Sequence, residues 1–265
     1  MDTALLSLLA RELGAGFSVA PEALAAVGTD DSAIMGRPDS VFSPKNTEEI
    51  SHLLRLASRH GFPVIPRGAG TGLSGGCVAT GGGVVVTTTA LNRIVAIDTE
   101  NLCAVVEPGV ITQTLRDAAK AVGLFYPPDP ASLATCTLGG NAATNAGGPA
   151  CVKYGVTRDY VLGLTAVLPD GETIQAGVAT RKGVVGYDLT GLFVGSEGTL
   201  GVITQLTVKL IPHPRDTRAV AALFADARTA VAAVSAIMTK GRATPRDAAK
   251  RTAPKSCTRK TCSRS

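Results

Sequence analysis

Pro66-Arg67-Gly68-Ala69-Gly70-Thr71-Gly72-Leu73-Ser74-Gly75-Gly76 and, about seventy residues further on, Thr137-Leu138-Gly139-Gly140-Asn141-Ala142-Ala143-Thr144-Asn145-Ala146-Gly147-Gly148 decide how this chain is read. Glycine has no side chain and reaches positive φ. Stretches of this kind therefore let consecutive backbone N–H groups converge on one anion. Two of them predict one large phosphate-bearing ligand.

Gly70 to Gly75 formally spells GxGxxG, and the strand-like run Phe62 to Ile65 precedes it. A nicotinamide site of that spelling needs the glycines to open a helix, with an acidic residue about twenty positions on. Here they lead instead to Gly81-Gly82-Gly83 and the β-branched run Val84-Val85-Val86-Thr87-Thr88-Thr89. The next carboxylates, Asp98 and Glu100, lie beyond a second strand-like run, Arg93 to Ile97. The Rossmann reading fails on this context.

With 265 residues and 45% hydrophobic content the chain has ample material for a buried core, in one large domain or two small ones. Every apolar run is interrupted before 18 residues, so no transmembrane helix is predicted. Asp2 stands where a signal peptide would be basic, and the apolar stretch Ala4 to Ala10 ends at Arg11-Glu12, so the expected location is cytoplasmic. Cys77, Cys103, Cys136 and Cys151 lack CxxC spacing and read as reduced structural thiols, with no metal site. His52, His60 and His213 read as solvated side chains.

The net charge of +5 conceals a division. Residues 239–265 carry nine Lys or Arg and one acidic residue, leaving the body with seventeen basic and twenty acidic side chains. This tail contains no large apolar residue and is predicted not to fold. Before it, Arg218 to Phe224 reads as a strand and Asp226 as the cap of a helix with Val231, Val234, Ile237 and Met238 on one face. A single βα unit cannot cover its own apolar faces. The chain reads as beginning a second domain and abandoning it, either because the reading frame is lost near Thr239 or because a genuine basic tail follows. The acidic body and the absence of interleaved aromatics speak against nucleic acid as a partner.

Upstream, Thr3 to Leu13 and Pro21 to Val27 are helix-like. Asn46 or Thr47 caps a helix with Ile50, Leu53, Leu54 and Ala57 inward, ended by Gly61. This gives a small βαβ-like subdomain. Cys103 to Glu107 reads as a strand, Thr112 to Val122 as a helix, and Pro127-Pro128-Asp129-Pro130 as a rigid turn. Val161 to Leu168, Thr173 to Gln175 and Gly201 to Leu210 read as strands, with a turn at Pro169 to Glu172. Gly81 to Gly83 and Gly191 read as turns, Tyr187 and Phe193 as core, and Arg158 with Asp159 as an ion pair. Two subdomains with a ligand cleft between them follow.

Taken together, Pro66 to Gly76, Pro127 to Pro130, Thr137 to Gly148, Cys151 to Asp159, Gly186-Tyr187-Asp188-Leu189 and Gly195-Ser196-Glu197-Gly198-Thr199-Leu200-Gly201 resemble the flavin domain of FAD-linked oxidases of the vanillyl-alcohol oxidase or p-cresol methylhydroxylase type. Within that superfamily the similarity is to the glycolate oxidase FAD-binding subunit and the D-lactate and D-2-hydroxyacid dehydrogenases. The resemblance spans about Asp39 to Met238. It implies an α+β fold: a small α/β subdomain plus a larger, mostly antiparallel one, holding FAD between them. The implied division is 1–38 as an N-terminal helical segment, 39–215 as the FAD-binding domain, 216–238 as the incomplete start of a substrate domain, and 239–265 as the basic tail.

By the same resemblance, Pro66, Arg67, Gly68, Ala69, Gly70, Thr71, Gly72, Leu73 and Ser74 form the pyrophosphate loop. Thr137, Gly139, Gly140, Asn141, Asn145, Gly147 and Gly148 approach the isoalloxazine and ribityl chain. Pro130, Tyr154, Gly155, Glu197, Gly198 and Ile203 complete the cavity. Some related enzymes attach the flavin through a histidine in or near the first loop; none occurs there, so the resemblance implies non-covalent FAD. Gly183-Val184 departs from the polar pair usual before the Gly-Tyr-Asp-Leu element. The family oxidises 2-hydroxy acids of the glycolate or D-lactate type by hydride transfer to the flavin, passing electrons to partner subunits or a membrane acceptor. The residues that clamp the substrate lie in its C-terminal domain, so no catalytic residue is assigned, and the competing expectation is a stand-alone FAD-binding subunit or an inactive remnant.

Overall fold

A computed structural model describes residues 1–180, 185–216 and 221–240. The expected departure at Gly183-Val184 and the tail beyond residue 240 lie outside the described residues. The chain divides at Arg215/Asp216 into two compact units.

The first unit begins with α1 (Thr3–Leu13), whose Leu5 N–H donates to Asp2 Oδ1 at 2.7 Å. The short strand β1 (Phe17–Ser18) and α2 (Pro21–Ala26) follow, the latter opened by proline in its first turn. After β2 (Ser40–Phe42) comes α3 (Thr47–His60). Asn46 Oδ1 accepts from Glu49 N–H at 2.8 Å, and Glu49 Oε2 accepts from Lys45 N–H at 2.8 Å, so a side chain at each end of the first turn satisfies an orphan donor. Gly61, in the left-handed conformation at φ 71°, ends the helix. Strands β3 (Val64–Arg67) and β4 (Val84–Thr87) complete a four-stranded sheet of order β1-β2-β4-β3, in which β2, β4 and β3 are parallel and β1 is antiparallel. Val84, Val85 and Val86 are all fully buried, as a continuous apolar run must be in a central strand covered on both faces.

The chain then passes through β5 (Ile94–Asp98), β6 (Cys103–Val106), α4 (Thr112–Ala121), β7 (Leu124–Phe125), α5 (Leu138–Thr144), α6 (Cys151–Tyr154), β8 (Val161–Val167), β9 (Thr173–Gly177), α7 (Leu189–Phe193), β10 (Val202–Lys209) and β11 (Ile211–Pro212). The order β5-β6-β10-β8-β9 forms a second, wholly antiparallel sheet, and β11 pairs with β7. A register shift between Ile203 and Gln205 bends β10. Its core gathers Leu115, Tyr126, Leu138, Leu164, Phe193 and Leu206. The other core, Leu9, Phe42, Ile50, Leu53, Val84 and Val86, also contains Val167 and Val202 of the second sheet. Ser51 of α3 donates to the Gly171 carbonyl in the β8–β9 turn. Shared apolar packing and this hydrogen bond join the two sheets.

Several expectations are corrected. The segment before Asp39 is not a separate helical piece: β1 extends the first sheet and Leu9 is fully buried in its core. The second glycine segment contains a helix, α5, that its glycines concealed. Tyr187 is 95% exposed, whereas Phe193 is core. Arg158 does not pair with Asp159; its guanidinium donates to the carbonyls of Gly191 and Val194, and Asp159 accepts from Val156 N–H at 2.8 Å. In the second unit, α8 (Ala227–Lys240) is capped by Asp226, which accepts from Thr229 N–H at 2.7 Å. Its Val231, Val234, Ile237 and Met238 are exposed. Of the strand expected at Arg218 to Phe224, residues 221–224 are irregular and the rest lie outside the described residues. Among the described residues no helix is long and apolar enough to cross a membrane.

Glu107 follows β6 and precedes Pro108, which faces the cleft described below. It accepts from Arg93 N–H at 2.7 Å, Nε at 3.0 Å and Nη2 at 2.7 Å. Burial pushes the carboxyl up, but the Arg93 hydrogen bonds and charge outweigh it and hold Glu107 below its usual 4.5. A carboxylate depressed in the fold adds stability that is complete above its unfolded value and is lost as pH falls through the folded one. Urea unfolding below pH 4.5 is therefore expected to show a shallower acid loss in Glu107→Gln than in the wild type. Identical slopes would show that the clamp adds nothing.

Candidate functional site

The β3–β4 crossover carries the first glycine segment and contains no helix. Among the described residues, no backbone N–H from Gly68 to Gly76 has an acceptor. The second segment opens differently. Leu138 N–H donates to the Val110 carbonyl at 2.9 Å, Gly139 to the Pro108 carbonyl at 2.8 Å, Gly140 to Thr137 Oγ1 at 3.3 Å and Asn141 to the Thr137 carbonyl at 2.9 Å. The N–H groups that open the second segment are thus taken, whereas Gly147 and Gly148 near its end, like the first loop, have no acceptor among the described residues. The opening glycines of the second segment serve close approach: a methyl group on Gly139 would overlap Pro108.

The two segments touch. A Cβ on Gly68 would overlap Thr137 Oγ1, the atom that caps α5, and would lie 3.6 Å from Gly140 Cα. A third piece closes on both. Gly195 and Glu197 donate their N–H groups to the carbonyls of Ala142 and Ala143 at 2.9 Å each, suspending the turn from α5. Glu197 is held at φ 51°, unusual for a residue with a side chain, and its carboxylate lies over Gly76. Gly198 packs on Pro66.

These pieces enclose a cleft of about 730 Å³, within the roughly 300–1,000 Å³ usual for a cofactor or small-molecule site. Pro66, Arg67, Gly68, Ala69, Gly70, Thr71, Gly72, Leu73 and Ser74 line it, together with Pro130, Thr137, Gly139, Gly140, Asn141, Glu197, Gly198 and Ile203. Five residues of the expected set do not. Asn145 caps the end of α5 in the left-handed conformation and accepts from Arg158 N–H at 2.9 Å. Gly147 sits behind it against Val156 and Cys151, and Gly148 is pressed on the Asp129 carbonyl. Tyr154 turns its ring edge to Phe125, and Gly155 takes φ 90° to end α6 over Asp159. These five residues lie outside the cleft lining and make their contacts in and around the turn after α5, whose Thr144 and Ala146 do line it.

Residues missed in the sequence also line the cleft, chiefly Asp30, Asp31, Cys77, Ser132, Cys136 and Ser196. Ser196 Oγ is buried without a partner, a polar atom available to a ligand. Asn141 is 3% exposed; its Nδ2 donates to Thr112 Oγ1 at 2.7 Å, which fixes the carboxamide. None of the three histidines lines the cleft, and among the described residues no group of metal-ligating side chains occurs. The residues fit a dinucleotide: a first loop whose N–H groups have no acceptor among the described residues and suit a pyrophosphate, glycines that let the surrounding pieces approach closely, and a fixed carboxamide beyond them.

A family described as FAD binding domain matches residues 38–177. The glycolate oxidase subunit GlcD of Bacillus subtilis is 50% identical over 201 residues, 76% of this chain and 43% of that protein. A D-lactate dehydrogenase of Anaerostipes hadrus is 47% identical over 188 residues, 70% of this chain and 39% of that one. The chain thus spans about two-fifths of the length of these curated relatives. Among solved structures, alkyldihydroxyacetonephosphate synthase superposes with a TM-score of 0.70 at 24% identity, over 82% of this chain and 41% of that one, a likeness of fold.

The seam between the two segments is testable by a double-mutant cycle. Gly68→Ala is expected to destabilise by about 1–3 kcal/mol through overpacking, and Thr137→Ala by about 1 kcal/mol through the lost cap. The double variant should lose less than the sum in urea unfolding, since Thr137→Ala removes the clashing atom. Strict additivity would refute the contact.

Proposed function

This chain belongs to the FAD binding domain family, and from that premise we propose that it is the flavin-holding part of an oxidoreductase acting on small 2-hydroxy acids of the glycolate or D-lactate class. The observation that carries the reading is the row of unpaired N–H groups from Gly68 to Gly76 along a cleft of dinucleotide size. Several convergent N–H dipoles suit a pyrophosphate, which needs many donors around closely spaced oxygens.

The flavin, when bound, accepts the two electrons of the oxidation. The protein's share is placement. The first loop would hold the pyrophosphate. Thr137, Gly139, Gly140 and Asn141 would approach the flavin and its ribityl chain, with Asn141 immobilised by Thr112 so that its carboxamide keeps one orientation. Ile203, beside the bend in β10, and the Glu197–Gly198 turn would close the remaining side. The proposal takes attachment as non-covalent, a reading supported by the absence of all three histidines from the cleft lining. The named relatives act on glycolate or D-lactate, and oxidation of such acids by this chain, with electrons passed to a partner subunit or a membrane acceptor, belongs to the proposal.

Purified protein is expected to take up one FAD per chain in titration calorimetry and to release all of it into the supernatant on acid precipitation. Flavin retained in the pellet would refute non-covalent binding; no saturable uptake would refute the reading as a whole. Anaerobic addition of glycolate or D-lactate then separates two outcomes. Bleaching of the flavin absorbance shows a complete oxidoreductase site, and its absence shows a carrier.

A further inference from the structure

One wall of the cleft lies before the family-matched residues 38–177. Between α2 and β2 the chain doubles back, with Thr29 bridged to Met35 and Ser32 N–H donating to Asp30 Oδ1 at 3.0 Å. This segment grips the first glycine loop at two points. Asp31 N–H donates to the Gly70 carbonyl at 3.2 Å, and Arg67 Nη2 donates to the Thr29 carbonyl at 2.8 Å.

Arg67 is only 8% exposed. Its guanidinium lies beneath Gly70, where a Cβ would overlap Nη2, so the arginine fills the underside of the turn that Gly70 makes at φ 75°. A buried guanidinium requires a charged partner and hydrogen-bond acceptors around it. The carboxylate that faces it is Asp30, and the connection runs through a thiol. Arg67 Nη1 donates to Cys77 Sγ at 3.5 Å, and Cys77 donates to Asp30 Oδ2 at 3.6 Å. Burial pushes the Cys77 thiol up, which keeps its proton available to Asp30. Burial also pushes the Asp30 carboxyl up, but its bonds from Ser32 and Cys77 and the Arg67 charge outweigh that and hold it below the usual range.

Resting on the reading of this loop as the pyrophosphate cradle, we propose that Asp30 is a positioning residue for the cofactor: through Cys77 it holds Arg67 under the Gly70 turn, so that the N–H groups of the loop are set before the pyrophosphate arrives. The positive charge of Arg67 is directed to Asp30, and the phosphates are met by backbone dipoles. Asp30 thereby ties a segment outside the matched family residues to cofactor affinity.

The test uses the full chain and measures binding of FAD by quenching of flavin fluorescence, of ADP by its competition with FAD, and of riboflavin, which has no phosphate. Asp30→Asn is expected to bind FAD and ADP roughly tenfold more weakly, the scale of one lost hydrogen bond to a charged group, and to bind riboflavin as the wild type does. Cys77→Ser, which keeps a donor and an acceptor, should stay within about twofold of wild type, while Cys77→Ala should match Asp30→Asn. The two lesions combined should be no worse than either alone, because they break one relay. Wild-type FAD affinity in Asp30→Asn would overturn the inference, as would an equal loss for riboflavin, which marks a merely structural role. Failure of the unmodified chain to bind FAD would overturn the cofactor reading and this inference together.

Discussion

The contact between Gly68 and Thr137 is the constraint on which the cleft depends. It brings together a loop from the parallel sheet and the capped start of α5, which packs against the antiparallel one, at a separation that no side chain on Gly68 would permit. The atom that Gly68 meets is the same Oγ1 that satisfies Gly140 N–H, so helix capping and loop approach are one interaction. Around it the rest is arranged in sequence. The Gly195–Glu197 turn hangs from the carbonyls of Ala142 and Ala143, and Gly198 of the following residue pair then meets Pro66 at the head of the first loop. The ring of contacts is closed within one unit.

Both sheets serve this arrangement by different means. Val84 to Val86, buried on every side, hold the crossover loop on a strand that cannot slip without exposing apolar surface. Glu107, clamped by Arg93, fixes the end of β6 and so the Pro108 carbonyl that receives Gly139. Val167 and Val202 reach from the antiparallel sheet into the core of the parallel one. The two halves therefore share apolar area, and a hinge between them would have to expose it.

The fold was legible where local chemistry determines it. Asn46 with Glu49, Gly61, and the largely apolar run Val161 to Val167 each announce an element from its own residues. The site was legible only in part, because a glycine-rich spelling does not say which N–H groups remain free. Gly139 and Gly68 look alike in sequence, yet one donates to Pro108 and the other to nothing among the described residues. Asn145, Gly147, Gly148, Tyr154 and Gly155 belong to the same motif-bearing stretch as the cleft residues but lie outside its lining, a difference that follows the turn after α5. Asp30 was invisible for another reason: its partners, Arg67 and Cys77, are more than thirty residues away, and nothing local in Thr29-Asp30-Asp31-Ser32 signals more than a turn.

These facts bear on how such a cleft recognises an anion. Among the described residues its lining includes Asp30, Asp31 and Glu197 against the guanidinium of Arg67, which is itself turned to Asp30 and the Thr29 carbonyl. Long-range attraction for a phosphate is therefore not available from these side chains. What remains is short-range: N–H dipoles held in place by neighbours, effective only when the ligand is seated among them. Recognition of that kind depends on geometry set in advance more than on charge, since a dipole misdirected by a small rotation contributes little and a loop ordered only on binding must bear the entropic cost of ordering. The buried arginine under Gly70, the cap at Thr137 and the strained backbone of Glu197 are thus parts of one device, which fixes the loop so that uncharged groups suffice.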